Sequence, residues 1–146
     1  MEANPFDLQR FVSAQAGCYD EVVAELAAGE KRSHWMWFIF PQLDGLGHSA
    51  MARRYAIKSR AEAQAYLQHP LLGSRLAECC RLLLGCDNPS ISAIMGYPDD
   101  LKLKSSMTLF AAVSPAGSVF QRVLDKYYGG EADTLTLRLL DAGAAR

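Results

Sequence analysis

The sequence contains no apolar run near the roughly 20 residues that a membrane-spanning helix needs. Its opening stretch, MEANPFDLQRF, carries neither a basic leader nor a long apolar core, so a soluble cytoplasmic protein without a signal peptide is expected. An excess of charge is also lacking. With 15 basic against 16 acidic side chains, the chain has no overall electrostatic reason to bind nucleic acid or a membrane. Cys18, Cys79, Cys80 and Cys86 form no C-x-x-C pair, and the histidines add no ligands at metal-binding spacing. The thiols therefore read as reduced and buried, with no metal. A dinucleotide glycine fingerprint, a P-loop, H-E-x-x-H, G-x-S-x-G and a cysteine nucleophile with an evident histidine partner are all missing. These absences remove the familiar enzyme classes and imply no cofactor. Repeats, low-complexity segments and Gly/Ser linkers are absent too. At 146 residues, half of them hydrophobic, the whole chain from 1 to 146 reads as one domain with its core over about 6–140.

The apolar residues that are present fall at helical spacing almost everywhere. Leu8, Phe11, Val12 and Gln15 make one stripe; Tyr19, Val22, Val23 and Leu26 make the next, which ends at Gly29. Ser59-Arg60-Ala61-Glu62 has the pattern of a capping box. Pro70 opens a helix whose apolar face is Leu72, Leu76, Cys79, Cys80 and Leu83. Ser90 caps a short helix closed by Gly96, and Pro98-Asp99-Asp100 starts a longer one with the stripe Leu103, Met107 and Phe110. After Ser114-Pro115, a helix carries Phe120, Val123, Leu124 and Tyr127 to Gly129-Gly130. Asp133 caps a last helix through Leu140, leaving DAGAAR as a frayed tail. The expected fold is mainly α, a compact single domain of seven or eight helices.

One stretch resists this reading. HWMWFIFPQ, residues 34–42, is apolar on all sides and fits either a buried helical turn or a short central strand. Trp37, Ile39 and Phe40 are expected in the core. Lys31, His34, Trp35 and Gln42 are expected to face a pocket from its two ends. The following LDGLGHS reads as an ordered loop, with Gly45 and Gly47 permitting positive backbone angles or close approach to a ligand beside Ser49.

The remaining candidates are polar residues in apolar surroundings. Lys102, Ser105 and Ser106 share one helix edge, where an amine beside two hydroxyls suits phosphate or, if desolvated, nucleophilic chemistry. A lysine extending to solvent beside surface serines is the plainer alternative. Arg75 is suited to a pyrophosphate or carboxylate clamp, and equally to a salt bridge. His69 is read as a ligand contact or as a cap of the helix before it. Gln15 needs a buried partner. Between residues 31 and 60, Lys31, Arg32, Arg53, Arg54, Lys58 and Arg60 face the single acid Asp44, which suggests an anion patch or a solvated basic face.

The runs FDLQRFVSAQ (6–15), HWMWFIFPQLDGLGHS (34–49), YAIKSRAEAQAYLQHPLLGSRL (55–76) and DDLKLKSSMTLF (99–110) resemble the bacterial DUF1810 family over roughly positions 6–140. That family implies no activity. More distantly, the order AQ, YAIKSRAEA, MTLF and VLDKYYGG is similar to helical NADAR domains, which process ADP-ribose derivatives and use an amine lysine with acidic and aromatic helpers. AQAGCYD has no lysine where such domains carry one shortly after the glutamine. The resemblance therefore implies Lys31 or Lys102 as the amine, Glu62 or Asp100 for proton transfer, and cleavage of an N-glycosidic bond. It also implies an ADP-ribose-like or other phosphorylated nucleotide as ligand, with nucleic acid only as a modified substrate. A non-catalytic nucleotide-binding or protein-interaction module is the alternative.

Overall fold

The computed structural model describes residues 6–144. Residues 1–5 and 145–146, which hold part of the opening stretch and the end of the expected tail, lie outside the described residues. Ten helices are present among those described: α1 (Gln9–Gln15), α2 (Tyr19–Ala28), α3 (Met36–Ile39), α4 (Ala50–Arg54), α5 (Arg60–Gln68), α6 (Leu72–Leu84), α7 (Ile91–Met95), α8 (Asp99–Ala112), α9 (Val119–Tyr128) and α10 (Thr134–Ala144). The fold is mainly α, as expected, with a few more helices. Residues 36–39 resolve the ambiguous stretch as one helical turn, ended by Pro41. Helix α4 has no counterpart in the apolar pattern because none of its five residues is buried. The last helix continues past Leu140 to Ala144, through most of the segment expected to fray.

Helix α8 is the axis. It packs against α5, α7, α9 and α10, and α9 in turn packs on α6. Six consecutive residues, Ser105 to Phe110, are buried, as a helix enclosed by neighbours requires. Aromatic contacts carry the core across elements: Tyr66 meets Phe11 edge-on at 5.1 Å between ring centroids and lies 5.4 Å from Phe110, which lies 5.6 Å from Phe120.

The helix ends follow the sequence with informative departures. Ser59 Oγ accepts the Glu62 amide at 3.1 Å, but the Glu62 carboxylate accepts the amide of Lys58 at 2.8 Å rather than that of Ser59. Gly85 stays in right-handed helical geometry. Open carbonyls at the end of α6 are instead taken by Lys126 Nζ, which donates to Leu83 at 3.3 Å and Leu84 at 2.8 Å, and to Cys86 beyond the helix at 2.6 Å. His69 caps the helix before it, as expected, its amide donating to Ala65 O at 3.0 Å, and its side chain also serves the helix after it. Its Nδ1 accepts the amides of Leu71 and Leu72, each at 3.2 Å.

Two charged groups, the half-buried Arg10 and the buried Glu25, bind distant segments. Arg10 uses every guanidinium donor: it reaches Arg54 O at 2.8 Å, Phe6 O at 2.6 Å, Asp7 O at 2.9 Å, Ala56 O at 2.9 Å and Glu62 Oε2 at 2.7 Å. Glu25 collects the amides of Arg32 (2.7 Å) and Ser33 (3.0 Å), Trp35 Nε1 (3.0 Å) and the Ser33 hydroxyl. Burial alone would raise the Glu25 pKa, but these donors reverse the effect and hold it at about 2.

A carboxyl whose folded pKa lies below its unfolded value adds stability above the unfolded pKa and loses it as pH falls towards the folded one. Glu25 therefore contributes about 3 kcal/mol at neutral pH, lost between about pH 5 and pH 2. Denaturant titrations of wild type and Glu25→Gln across that range should converge in stability as pH drops; parallel curves would refute the assignment. Arg10→Ala strands the buried Glu62 carboxylate and should cost roughly 3–5 kcal/mol at pH 7, against a loss below about 1 kcal/mol if the pair behaves as an exposed one.

Candidate functional site

The site begins where the chain leaves α3. Gln42 O accepts the amide of Ile57 at 2.8 Å, and Ile57 O accepts the amide of Asp44 at 2.8 Å, so a single parallel bridge, Leu43 to Ile57, anchors the loop that follows. That loop passes Gly45, whose φ of 103° suits glycine, and reaches Gly47. A Cβ on Gly47 would lie 2.6 Å from that of Ala52, so the close approach is to α4 rather than to a ligand. Ser49 Oγ then caps α4 by accepting the Ala52 amide at 3.1 Å.

An open cleft of about 400 Å³ lies between this loop and α8. Gln42, Leu46, Gly47, His48, Ser49 and Ala52 form one wall; Pro98, Leu101, Lys102 and Ser105 form the other. Asp133 and Leu135, at the start of α10, close one end. The size is in the range of small-molecule sites. A narrower crevice continues past Gln42 and Gly47 to Trp37, Gly45 and Tyr55.

The polar groups differ in their freedom. Lys102 Nζ lies 3.7 Å from Asp99 Oδ1 and 5.6 Å from the Trp37 ring centroid, with its side chain 30% exposed. Ser105 Oγ makes a long 3.4 Å contact with Leu101 O. The side-chain amide of Gln42 makes no hydrogen bond among the described residues. Asp133 Oδ2 caps α10 through the amide and hydroxyl of Thr136 at 3.0 and 2.5 Å, while its other oxygen has no protein partner among them.

Gln42, Gly47, Ser49, Lys102 and Ser105 thus meet at one cleft, with Gly45 in the adjoining crevice. The other candidates lie elsewhere. Lys31 is buried in an ion pair with Asp99 at 2.8 Å and does not line the cleft. Trp35, expected at the pocket, is buried in the core and tied to Glu25; the half-buried Trp37, expected in the core, is the one beside Lys102. His34 is exposed and away from the cleft lining. Ser106 is fully buried, and its hydroxyl has no hydrogen-bond partner among the described residues.

The acids proposed for proton transfer are engaged. Glu62 belongs to the Arg10 pair, and Asp100 accepts the Ser92 hydroxyl at 2.6 Å and the Leu101 amide at 2.9 Å. Arg75 forms neither a clamp nor a salt bridge among the described residues. It donates to Gln15 Oε1 at 3.2 Å and stacks over Tyr19 at 4.3 Å. Gln15 is completed by Phe38 O at 2.8 Å and the Tyr66 hydroxyl at 3.3 Å, a structural set of partners.

His48 and Asp133 were not selected from the sequence as site residues. His48 lies inside the loop already singled out. Asp133 is disguised by its role as a cap, and nothing in the local pattern brings α10 to the loop. The four cysteines are all free thiols; Cys79 and Cys80 are buried, whereas Cys18 and Cys86 are half-buried. Burial raises the Cys79 thiol to about 12, which keeps it protonated and unreactive. No helix among the described residues is long and apolar enough to cross a membrane.

Comparison with known proteins agrees with this architecture. The chain is 59% identical to the conserved hypothetical protein Rv1873 from Mycobacterium tuberculosis, whose crystal structure matches with a TM-score of 0.93 over 94% of this chain and 99% of that one. No curated protein matches. A family model described as a protein of unknown function, DUF1810, matches residues 5–140. The chain belongs to the DUF1810 family.

Proposed function

We propose that the cleft binds a phosphorylated nucleotide of the ADP-ribose kind, with Lys102 holding the phosphate. The observation that carries this reading is the convergence of a partly exposed amine, the Ser105 hydroxyl and the unbonded Gln42 amide on one cavity of about 400 Å³. An ammonium is a compact partner for phosphate, and a hydroxyl one turn along the helix supplies a second hydrogen bond. The apolar walls from Leu46, Leu101 and Leu135 suit the body of a nucleoside. The distant resemblance to ADP-ribose-processing domains points to the same ligand class.

Binding is better supported than glycosidic hydrolysis. With Glu62 and Asp100 held in other contacts, the one carboxylate lining the cleft among the described residues is that of Asp133, and one of its oxygens caps α10. Lys31 cannot serve as the amine because its ammonium is already occupied by Asp99 and by Ser33 O at 2.6 Å. If turnover occurs, Lys102 and Asp133 are the pair to carry it.

A second reading, a protein-interaction module, is favoured by one specific feature. Leu101 and Leu135 on the cleft walls are 54% and 49% exposed, and Tyr97 beside Pro98 is 81% exposed. Large apolar side chains concentrated at one mouth are typical of contact surfaces.

Thermal unfolding with ADP-ribose, NAD, AMP and inorganic phosphate separates the two. A ligand at a hundred times its Kd should stabilise by about 2.7 kcal/mol, raising Tm by roughly 5–10 °C. Lys102→Ala should abolish most of that rise while leaving the unliganded Tm within a few degrees, because its ion pair is long and partly exposed. No shift with any of the four would reject nucleotide binding in favour of the interaction surface.

A further inference from the structure

Two lysines share one carboxylate at the start of α8. Asp99 Oδ2 lies 2.8 Å from Lys31 Nζ, whereas Asp99 Oδ1 lies 3.7 Å from Lys102 Nζ. The first contact is short and shielded, with the Lys31 side chain only 6% exposed. The second is at the outer limit of an ion pair and partly open to water. Lys31 is further engaged by Ser33 O at 2.6 Å and by the Trp35 ring at 4.8 Å, and it does not line the cleft, so its ammonium is not the group a ligand there would meet. The three charged groups carry a net charge of +1, and the uncompensated part falls on the group lining the cleft.

We propose that Lys31 is a positioning residue for the cleft: by engaging Asp99, it leaves Lys102 as an uncompensated cation for the anionic group of a ligand. This rests on the anion-binding reading of the cleft. Without Lys31, Asp99 would stay in place, because a carboxylate in the first turn of a helix is favoured by the backbone dipole. Its remaining ionic partner among the described residues would then be Lys102, three residues along the same helix. The two would close into a neutral pair, and the ligand would have to displace that carboxylate. Lys31 thus affects the ligand without touching it, through the carboxylate that both lysines share.

Two measurements on the full chain test this, and one needs no ligand. Limited acylation with acetic anhydride, quantified at Lys102 by mass spectrometry, reads how strongly that amine is ion-paired. Lys31→Met should slow modification of Lys102 about tenfold, Lys31→Arg should leave it unchanged, and Lys31→Met/Asp99→Asn should restore it. Binding of AMP and inorganic phosphate should follow the same order: about tenfold weaker in Lys31→Met and recovered in the double variant. A purely structural role for Lys31 would not be rescued by also removing Asp99.

Unchanged acylation of Lys102 in Lys31→Met overturns the proposal. Slowed acylation in a protein whose wild type binds neither anion supports the division of charge but overturns the binding reading beneath it. Should Lys31→Met fail to fold, Asp99→Asn alone decides: it should retain or strengthen anion binding, and weaker binding would overturn the proposal.

Discussion

The Glu25 carboxylate organises the part of the molecule from which the site grows. A turn that leaves a helix and enters the core exposes backbone amides that must find acceptors. Here one ionised side chain takes the amides of Arg32 and Ser33, the Ser33 hydroxyl and the Trp35 indole together. That arrangement seats Trp35 in the core and sets the course of residues 31–35. Lys31, fixed also by its amide to Ile94 O at 2.8 Å, then reaches Asp99 at the head of α8. Three segments distant in sequence are thereby joined by charged and polar contacts rather than by apolar packing alone.

The cleft is a consequence of where the core stops. Helix α8 is enclosed along Ser105 to Phe110, but its first turns present Leu101 and Lys102 at the surface. The 42–49 loop, anchored by its bridge to Ile57 and pressed against α4 at Gly47, forms the facing wall. Asp133 is present there because α10 packs on α8. Lys102 and Ser105 are thus held by a helix, and Gln42 and Asp133 by segments anchored beside it.

Much of the fold was legible because apolar spacing and end signals agree. Ser90 and Gly96 bound α7 as read, and Leu103, Met107 and Phe110 are the buried stripe of α8. Helix α4 was not legible: Ala50–Arg54 buries nothing, so it leaves no periodic trace. At the site, Lys102 and Ser105 were legible as a shared helix edge because three- and four-residue spacing is local geometry. The partners of Glu62 and Arg75 were not legible, because an ionisable group withdrawn from solvent looks the same in sequence whether it meets a ligand or another segment, here Arg10 and Gln15.

The sequence by itself determined the helical class, most helix limits and the edge of α8 that carries the Lys102 amine beside the Ser105 hydroxyl, since each depends on residues within a few positions of one another. Tertiary structure alone decided which tryptophan faces inward and which lysine stays available. Trp35 and Trp37 are two residues apart with similar neighbours, yet Glu25 claims the first and leaves the second beside Lys102. Likewise, Lys31 and Lys102 are chemically equivalent until both meet Asp99. Competition for a shared partner is settled by distance and burial, and those quantities arise only when the segments are packed together.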